Sequence, residues 1–209
     1  MGLGGCKFKV GGRPPAEDAA RVRAARKGAG DDFILTVDAN QGYTQREAIE
    51  FGRLVADLNV RWFEEPCRWY NDRSSMALVR QVTGIPVAAG QSEYHRGGCR
   101  DLMAAGAIDV CNFDASWGVG PTEWRRVAAM AMAYEVEMGH HEEPQISAHL
   151  LESIPHGTMM EVFHPNRDRL FYKIIENRNE FENGTYKIPE GPDWGLHQDE
   201  GVIKKYRVN

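Results

Sequence analysis

The feature that most restricts this chain is a rhythm: short strand-like runs return at nearly constant spacing, each followed by a helix-like stretch. The runs are Cys6–Val10, Phe33–Asp38, Arg61–Glu64, Ile85–Ala89, Ile108–Phe113, Val136–Gly139 and Thr158–Phe163. Their centres lie roughly 23 to 28 residues apart, close to the ~30 of a strand–helix–strand unit. Between them, Glu17–Lys27 follows Pro14-Pro15, and proline is tolerated at a helix start. Thr44–Asp57 opens on Thr44 and carries Glu47 three residues later, the spacing of a capping box. Met76–Val82, Gly98–Ala105, Glu123–Tyr134 and Ile146–Ile154 complete the alternation. Such alternation predicts a parallel α/β fold.

Doubly wound sheets and barrels share this pattern. Polar and charged residues stand at the C-terminal end of nearly every run, where barrel sites are built. A doubly wound sheet would gather them at one switch point, usually with a glycine-rich phosphate loop, and no such loop follows a strand here. The expected fold is therefore a TIM-like (β/α)7β barrel. Its seven strands are one short of eight and the chain opens abruptly on a strand, so we expect the first barrel strand to be missing upstream. Residues 1–209 are expected to form one incomplete barrel domain, with 184–209 as a C-terminal tail. Turns are expected at Asn183-Gly184 and Gly191-Pro192.

Composition narrows the function classes. The 209 residues carry a formal charge of −5, which does not suggest a nucleic-acid partner. The densest basic stretch, Arg21–Lys27, reads as the polar face of a helix. No apolar run approaches the roughly 18 residues of a membrane span, and the N-terminus lacks a signal-peptide layout. Cys6, Cys67, Cys99 and Cys111 are too scattered for a metal pair or a disulfide scaffold. Reduced thiols and a cytoplasmic location are expected.

Three consecutive strand ends bear oxygen donors: Asp38-Ala39-Asn40, Glu64-Glu65-Pro66, and Gly90-Gln91-Ser92-Glu93. Strand alternation puts Asp38 and Asn40 on one side. Donors converging from neighbouring strands suit a hard cation such as Mg2+; singly, each is equally an acidic cap on an exposed strand end. Lys7 and Lys9 share a face of the first strand. Their mutual repulsion, with a cation nearby, would lower a lysine pKa toward a neutral amine base; alone they would read as edge protection. Asp114 ends one strand and His140-His141 the next, so the aspartate is placed to hold a histidine tautomer. Glu161, near the end of the last strand, fits either a substrate-carboxylate contact or a buried ion pair.

The ordered series Lys7-Phe8-Lys9, Asp38-Ala39-Asn40, Glu64-Glu65-Pro66, Gly90-Gln91, Asp114 and His141 resembles the mandelate racemase/muconate lactonizing group of the enolase superfamily. Ile146–Leu151 and Gly184–Pro189 resemble it too. The resemblance covers almost the whole chain and is to the C-terminal barrel of acid-sugar dehydratases. It implies removal of the proton next to a carboxylate, with Mg2+ stabilising the enediolate. By position, Lys9 is the base and Lys7 its partner. His141 with Asp114 is the acid/base on the other face. Asp38 and Glu64 are metal ligands, Asn40 faces substrate, and Glu161 contacts the substrate carboxylate. Where the family has a glutamate as third ligand, this chain has Gln91; Glu93 is the alternative. The family's α+β capping domain is expected to be missing from this chain. The implied partner is a small acid sugar, with dehydration or racemisation as its fate, or the chain is an inactive fragment. A homo-oligomer is expected.

Overall fold

The computed structural model describes residues 2–177 and 181–208. Seven parallel strands pair in chain order: β1 Gly5–Lys9, β2 Ile34–Asp38, β3 Val60–Glu64, β4 Val87–Ala89, β5 Val110–Cys111, β6 Glu137–His140 and β7 Gly157–Met160. Six helices lie between them: α1 Pro15–Ala29, α2 Gln45–Leu54, α3 Asp72–Thr83, α4 Arg96–Ala104, α5 Pro121–Ala133 and α6 Pro144–Glu152. The expected α/β architecture is present.

Alternation divides the sheet into two faces. The outer face carries Leu35, Val37, Phe63, Val87, Cys111, Phe113 and Met138, packed with Val22, Phe51, Val79, Leu102 and Trp124 from the helix layer in one core. Burying one such side chain contributes about 1.5–3 kcal/mol. The inner face has its own apolar layer, where Trp62, Ala88 and Val110 pack with Met159 of β7. A side chain of β7 packed on an inner layer drawn from β3, β4 and β5 agrees with a curled sheet. Two polar links across the opening agree: Arg61 of β3 pairs with Glu137 of β6, and Lys7 of β1 lies 2.7 Å from Glu161 just after β7. Among the described residues the sheet is a curled, partial barrel; β1 and β7 are its edges and pair only with β2 and β6.

Helix ends follow local chemistry. The capping box forms: Glu47 N donates to Thr44 Oγ1 at 3.4 Å, and Thr44 N to Glu47 Oε2 at 2.8 Å. The basic stretch Arg21–Lys27 is not uniformly a solvent face. Arg26 is buried, and its guanidinium donates to the carbonyls of Leu58, Gly30, Phe33 and Asn59 at 3.0, 2.7, 2.6 and 3.1 Å. It thereby satisfies loop carbonyls that would otherwise be orphaned.

Some boundaries differ from the sequence reading. β5 has two residues where the expected run spans Ile108–Phe113, because Ile108 and Phe113 are buried in the core without belonging to the regular ladder. β7 ends at Met160, so Glu161 stands just past it. The chain beyond Asn166 contains short regular elements. It forms α7 Phe171–Ile174, the hairpin strands β8 Phe181–Glu182 and β9 Thr185–Tyr186, and α8 Glu200–Tyr206. The expected turn at Asn183-Gly184 closes the hairpin with φ of 51° and 77°. A Cβ on Gly184 would stand 2.7 Å from the carbonyl oxygen of Gly2.

Candidate active site

The inward side chains near the C-terminal ends of the strands form one polar network, and most of the residues singled out in the sequence are in it. Asp38 and Glu64 are paired in register across β2 and β3, and both are buried. Lys7 Nζ lies between them, 2.8 Å from Glu64 Oε1 and 3.6 Å from Asp38 Oδ2, while also reaching Glu161. Lys9 pairs with Asp38 and its side chain is about half exposed, at 47%. Trp62 Nε1 donates to Glu64 Oε2 at 3.2 Å, and the backbone N of Asn40 donates to Asp38 Oδ1 at 2.7 Å.

On the far side, Asp114 and His141 meet as expected. His141 Nδ1 donates to Asp114 Oδ2 at 2.9 Å. The other carboxylate oxygen accepts from Ser116 N and Oγ, both 2.7 Å, and from Trp117 N at 3.2 Å. Trp117 stacks edge-on to His141, centroids 5.3 Å apart. Glu142, which the sequence reading passed over, joins the halves: its Oε1 is 3.3 Å from His141 Nε2, and its backbone N donates to Glu161 Oε2 at 3.3 Å. His140 is separate. It is buried, accepts from Ala115 N and donates to the carbonyl of His141, so it fixes the loop.

Electrostatics differ across the site. Burial works against the Lys7 ammonium, yet Glu64, Glu161 and Asp38 outweigh it and raise its pKa. At Lys7 the carboxylates dominate over the second ammonium. Burial pushes Glu64 upward, opposed by Lys7 and reinforced by Asp38 and Glu161. Burial also works against the charged forms of His141 and Asp114. The Asp114 hydrogen bond, helped by Glu161 and Glu142, nevertheless raises His141. Bonds from His141 and Ser116 hold Asp114 below the usual carboxylate value.

Four residues sit past the regular strand ends. β2 ends at Asp38, and Asn40 adopts φ 45°, so it does not continue the strand's inner face; it is exposed and its amide donates to Glu65 Oε2 at 3.4 Å. Glu93 is turned away to Arg73, 2.5 Å off. Gln91 is buried, with Nε2 3.0 Å from Glu65 Oε2. Glu65 is itself a missed residue. Alternation would direct it outward, but its φ of 38° swings it into a nest of donors from Gln41, Gln91 and Ser92.

The donor chemistry fits a hard divalent cation. A single positive centre, the Lys7 ammonium, already reaches both Asp38 and Glu64. Among the described residues no group of three or more His, Cys, Asp or Glu is arranged to hold a metal ion. Gln91 follows the next strand, β4, and its amide carbonyl is an oxygen donor of the kind such a cation takes. Among the described residues no helix is long and apolar enough to cross a membrane.

Residues 1–202 match the family model described as enolase C-terminal domain-like. The arabinonate dehydratase of Saccharolobus solfataricus is 31% identical, covering 99% of this chain and 56% of that protein. The D-galactarolactone cycloisomerase of Agrobacterium fabrum is 30% identical, covering 99% and 57%. A crystal structure of a mandelate racemase/muconate lactonizing enzyme from a marine actinobacterium, in complex with magnesium, superposes with a TM-score of 0.95 at 56% identity. It covers 100% of this chain and 59% of that one. The chain thus spans little more than half the length of these relatives.

Proposed function

This chain belongs to the enolase C-terminal domain-like family, and from that premise we propose that it carries the proton-transfer half of an acid-sugar dehydratase. The observation that carries the reading is the opposition of two proton-handling groups, the Lys7/Lys9 pair and the Asp114–His141 dyad, around buried carboxylates. Asp38 and Glu64 would hold Mg2+, with Gln91 as third donor. When bound, that cation supplies the positive charge that stabilises an enediolate.

Lys9 is the base that takes the proton from the carbon next to the substrate carboxylate. It is the more exposed of the two lysines and makes one ion pair, with Asp38. Lys7, held by three carboxylates, stays protonated and orients substrate oxygens. His141, held by its hydrogen bond to Asp114, gives its proton to the departing C3 hydroxyl, which leaves as water. The enol product becomes a 2-keto-3-deoxy acid. Glu161 positions the substrate carboxylate through Lys7, and Asn40 borders the mouth. Similarity to dehydratases favours this outcome over others.

A second reading uses the same groups. Reprotonation by His141 at the original carbon would give racemisation or epimerisation, and similarity to a crystallised racemase favours keeping it. An acid-sugar panel separates the two: dehydration yields keto acid, whereas racemisation yields inverted substrate with solvent deuterium at C2. The panel is run on this chain and on the chain joined to the remaining N-terminal part of a relative. No keto acid, no inversion and no exchange in either form would remove the enzyme reading and leave the inactive-fragment one. We further propose that the β1 and β7 edges are covered by another strand or another copy of the chain, since open edges invite pairing; sedimentation distinguishes monomer from homo-oligomer.

A further inference from the structure

A cavity of about 320 Å³ lies where α2 and α3 begin, between the loops that leave β2 and β3. It is separate from the polar network of the active site. None of that network's residues lines it, and Cys67, which does, belongs to the outer core. The chain has 30 acidic residues against 25 lysines and arginines, yet no aspartate or glutamate lines this cavity. Instead it carries Arg46 from α2 and Arg68 from the loop after β3. Among the described residues neither guanidinium has an ion-pair or hydrogen-bond partner. Elsewhere on the helix layer Arg23 is paired with Asp57 and Arg80 with Asp109. The carboxylate that Arg46 and Arg68 both act on, Glu47, is spent on the helix cap: its Oε2 accepts from Thr44 N at 2.8 Å and from Thr44 Oγ1 at 2.7 Å. Those bonds, more than the two guanidiniums, hold Glu47 below the usual carboxylate value.

Two further features supply donors without acceptors. Ser75 lines the cavity and is only 5% exposed. Its Oγ accepts from Asn71 Nδ2 at 3.4 Å, and among the described residues its own proton has no acceptor. A buried donor left unsatisfied is costly. The first turn of α2 adds the backbone N–H groups of Gln45 and Arg46, which have no intrahelical acceptor, and the helix dipole favours negative charge there.

We propose that this cavity is an anion site, distinct from the catalytic centre, that takes a small oxyanion (a phosphate or carboxylate group) between Arg46 and Arg68, with Ser75 as the buried donor. Planar guanidiniums match the paired oxygens of either group, and the volume is at the small end for ligand pockets. A bound anion would tie the start of α2 to the loop after β3, the two segments that follow Asp38 and Glu64.

Inorganic phosphate and gluconate, titrated calorimetrically, test the site. Each is added to the unaltered 209-residue chain and to Arg46→Gln, Arg68→Gln and Ser75→Ala. Chelator is present throughout, which keeps the result independent of any magnesium, and chloride matches the ionic strength. Both arginines are exposed, so their variants should melt as the unaltered chain does. Saturable binding at one site is expected, weakened by about tenfold or more in each arginine variant and by a smaller factor in Ser75→Ala. Tighter phosphate identifies a phosphate group as the ligand and tighter gluconate a sugar acid; either outcome supports the site. The tighter probe should also raise the melting temperature of the unaltered chain but not that of the double arginine variant. No heat from either probe with a cooperatively melting chain would overturn the proposal, as would binding that both arginine variants retain in full.

Discussion

The two halves of the site solve the problem of buried charge differently. On the β1–β3 side, two ammonium groups and three carboxylates neutralise one another in a mesh: Lys7 touches Glu64, Glu161 and Asp38, and Lys9 touches Asp38. On the β5–β6 side, Asp114 is satisfied largely by neutral donors from its own loop, Ser116 and Trp117, and makes one bond to His141. The mesh is held by long-range pairs between strands, so removing one member strands the others. The aspartate of the dyad is held by its own loop, and its bond to His141 joins two strand ends. A half built to exchange cations and a half built to exchange a proton would differ in this way.

The largest expected effect is on turnover. In a chain extended to its relatives' length, Lys9→Ala and His141→Asn should each lower kcat by roughly 10²–10⁴, with circular dichroism unchanged. A near-normal rate for Lys9→Ala would shift the base to Lys7 and reverse the roles within the mesh.

Stability should separate the halves next. Lys7→Met leaves Asp38, Glu64 and Glu161 without their shared ammonium. Breaking a buried pair this way costs about 3–5 kcal/mol, read by denaturant unfolding in chelator. Added Mg2+ should return part of it, because a ligand that binds only the folded state stabilises it. Equal loss with and without Mg2+ would mean that the cation and Lys7 do not share the carboxylates.

The dyad should show a smaller, pH-shaped effect. Asp114 has its folded pKa lowered, so its contribution is present above the unfolded value and fades as pH falls through the folded one. His141 has its folded pKa raised, so its contribution is complete below the unfolded value and fades as pH rises through the folded one. The stability gap between the unaltered chain and Asp114→Asn should therefore be widest between about pH 4 and 6.5 and narrow on both sides. A gap that is flat across pH would show that the pair is held by packing rather than charge. The smallest effect belongs to Trp117→Ala. Its ring is more than half exposed, and the edge contact with His141 is worth about 0.5–1.5 kcal/mol. Its absence should move the histidine titration, followed by NMR, more than it moves the melting temperature.

The sequence alone determined the strand–helix alternation, because apolar period and turn chemistry are local. Alternation along β1, β2 and β3 put Lys7 and Lys9, Asp38 and Glu64 on one face, whereas Asp114, His141 and Glu161 stand just past their strands. Tertiary structure decided what happens where strands stop. Left-handed backbone at Asn40 and Glu65 breaks the alternation, so Asn40 leaves the inner face and Glu65 enters the network beside Gln91. Tertiary structure also decided the sign of the Lys7 shift, since that depends on how many carboxylates three other strands bring within reach. It took Glu93 out of the site by supplying Arg73 from α3, and buried Arg26 against loop carbonyls far along the chain. Distance along the chain carries no information about such pairings; the packing of separate strands, helices and loops brings their partners together.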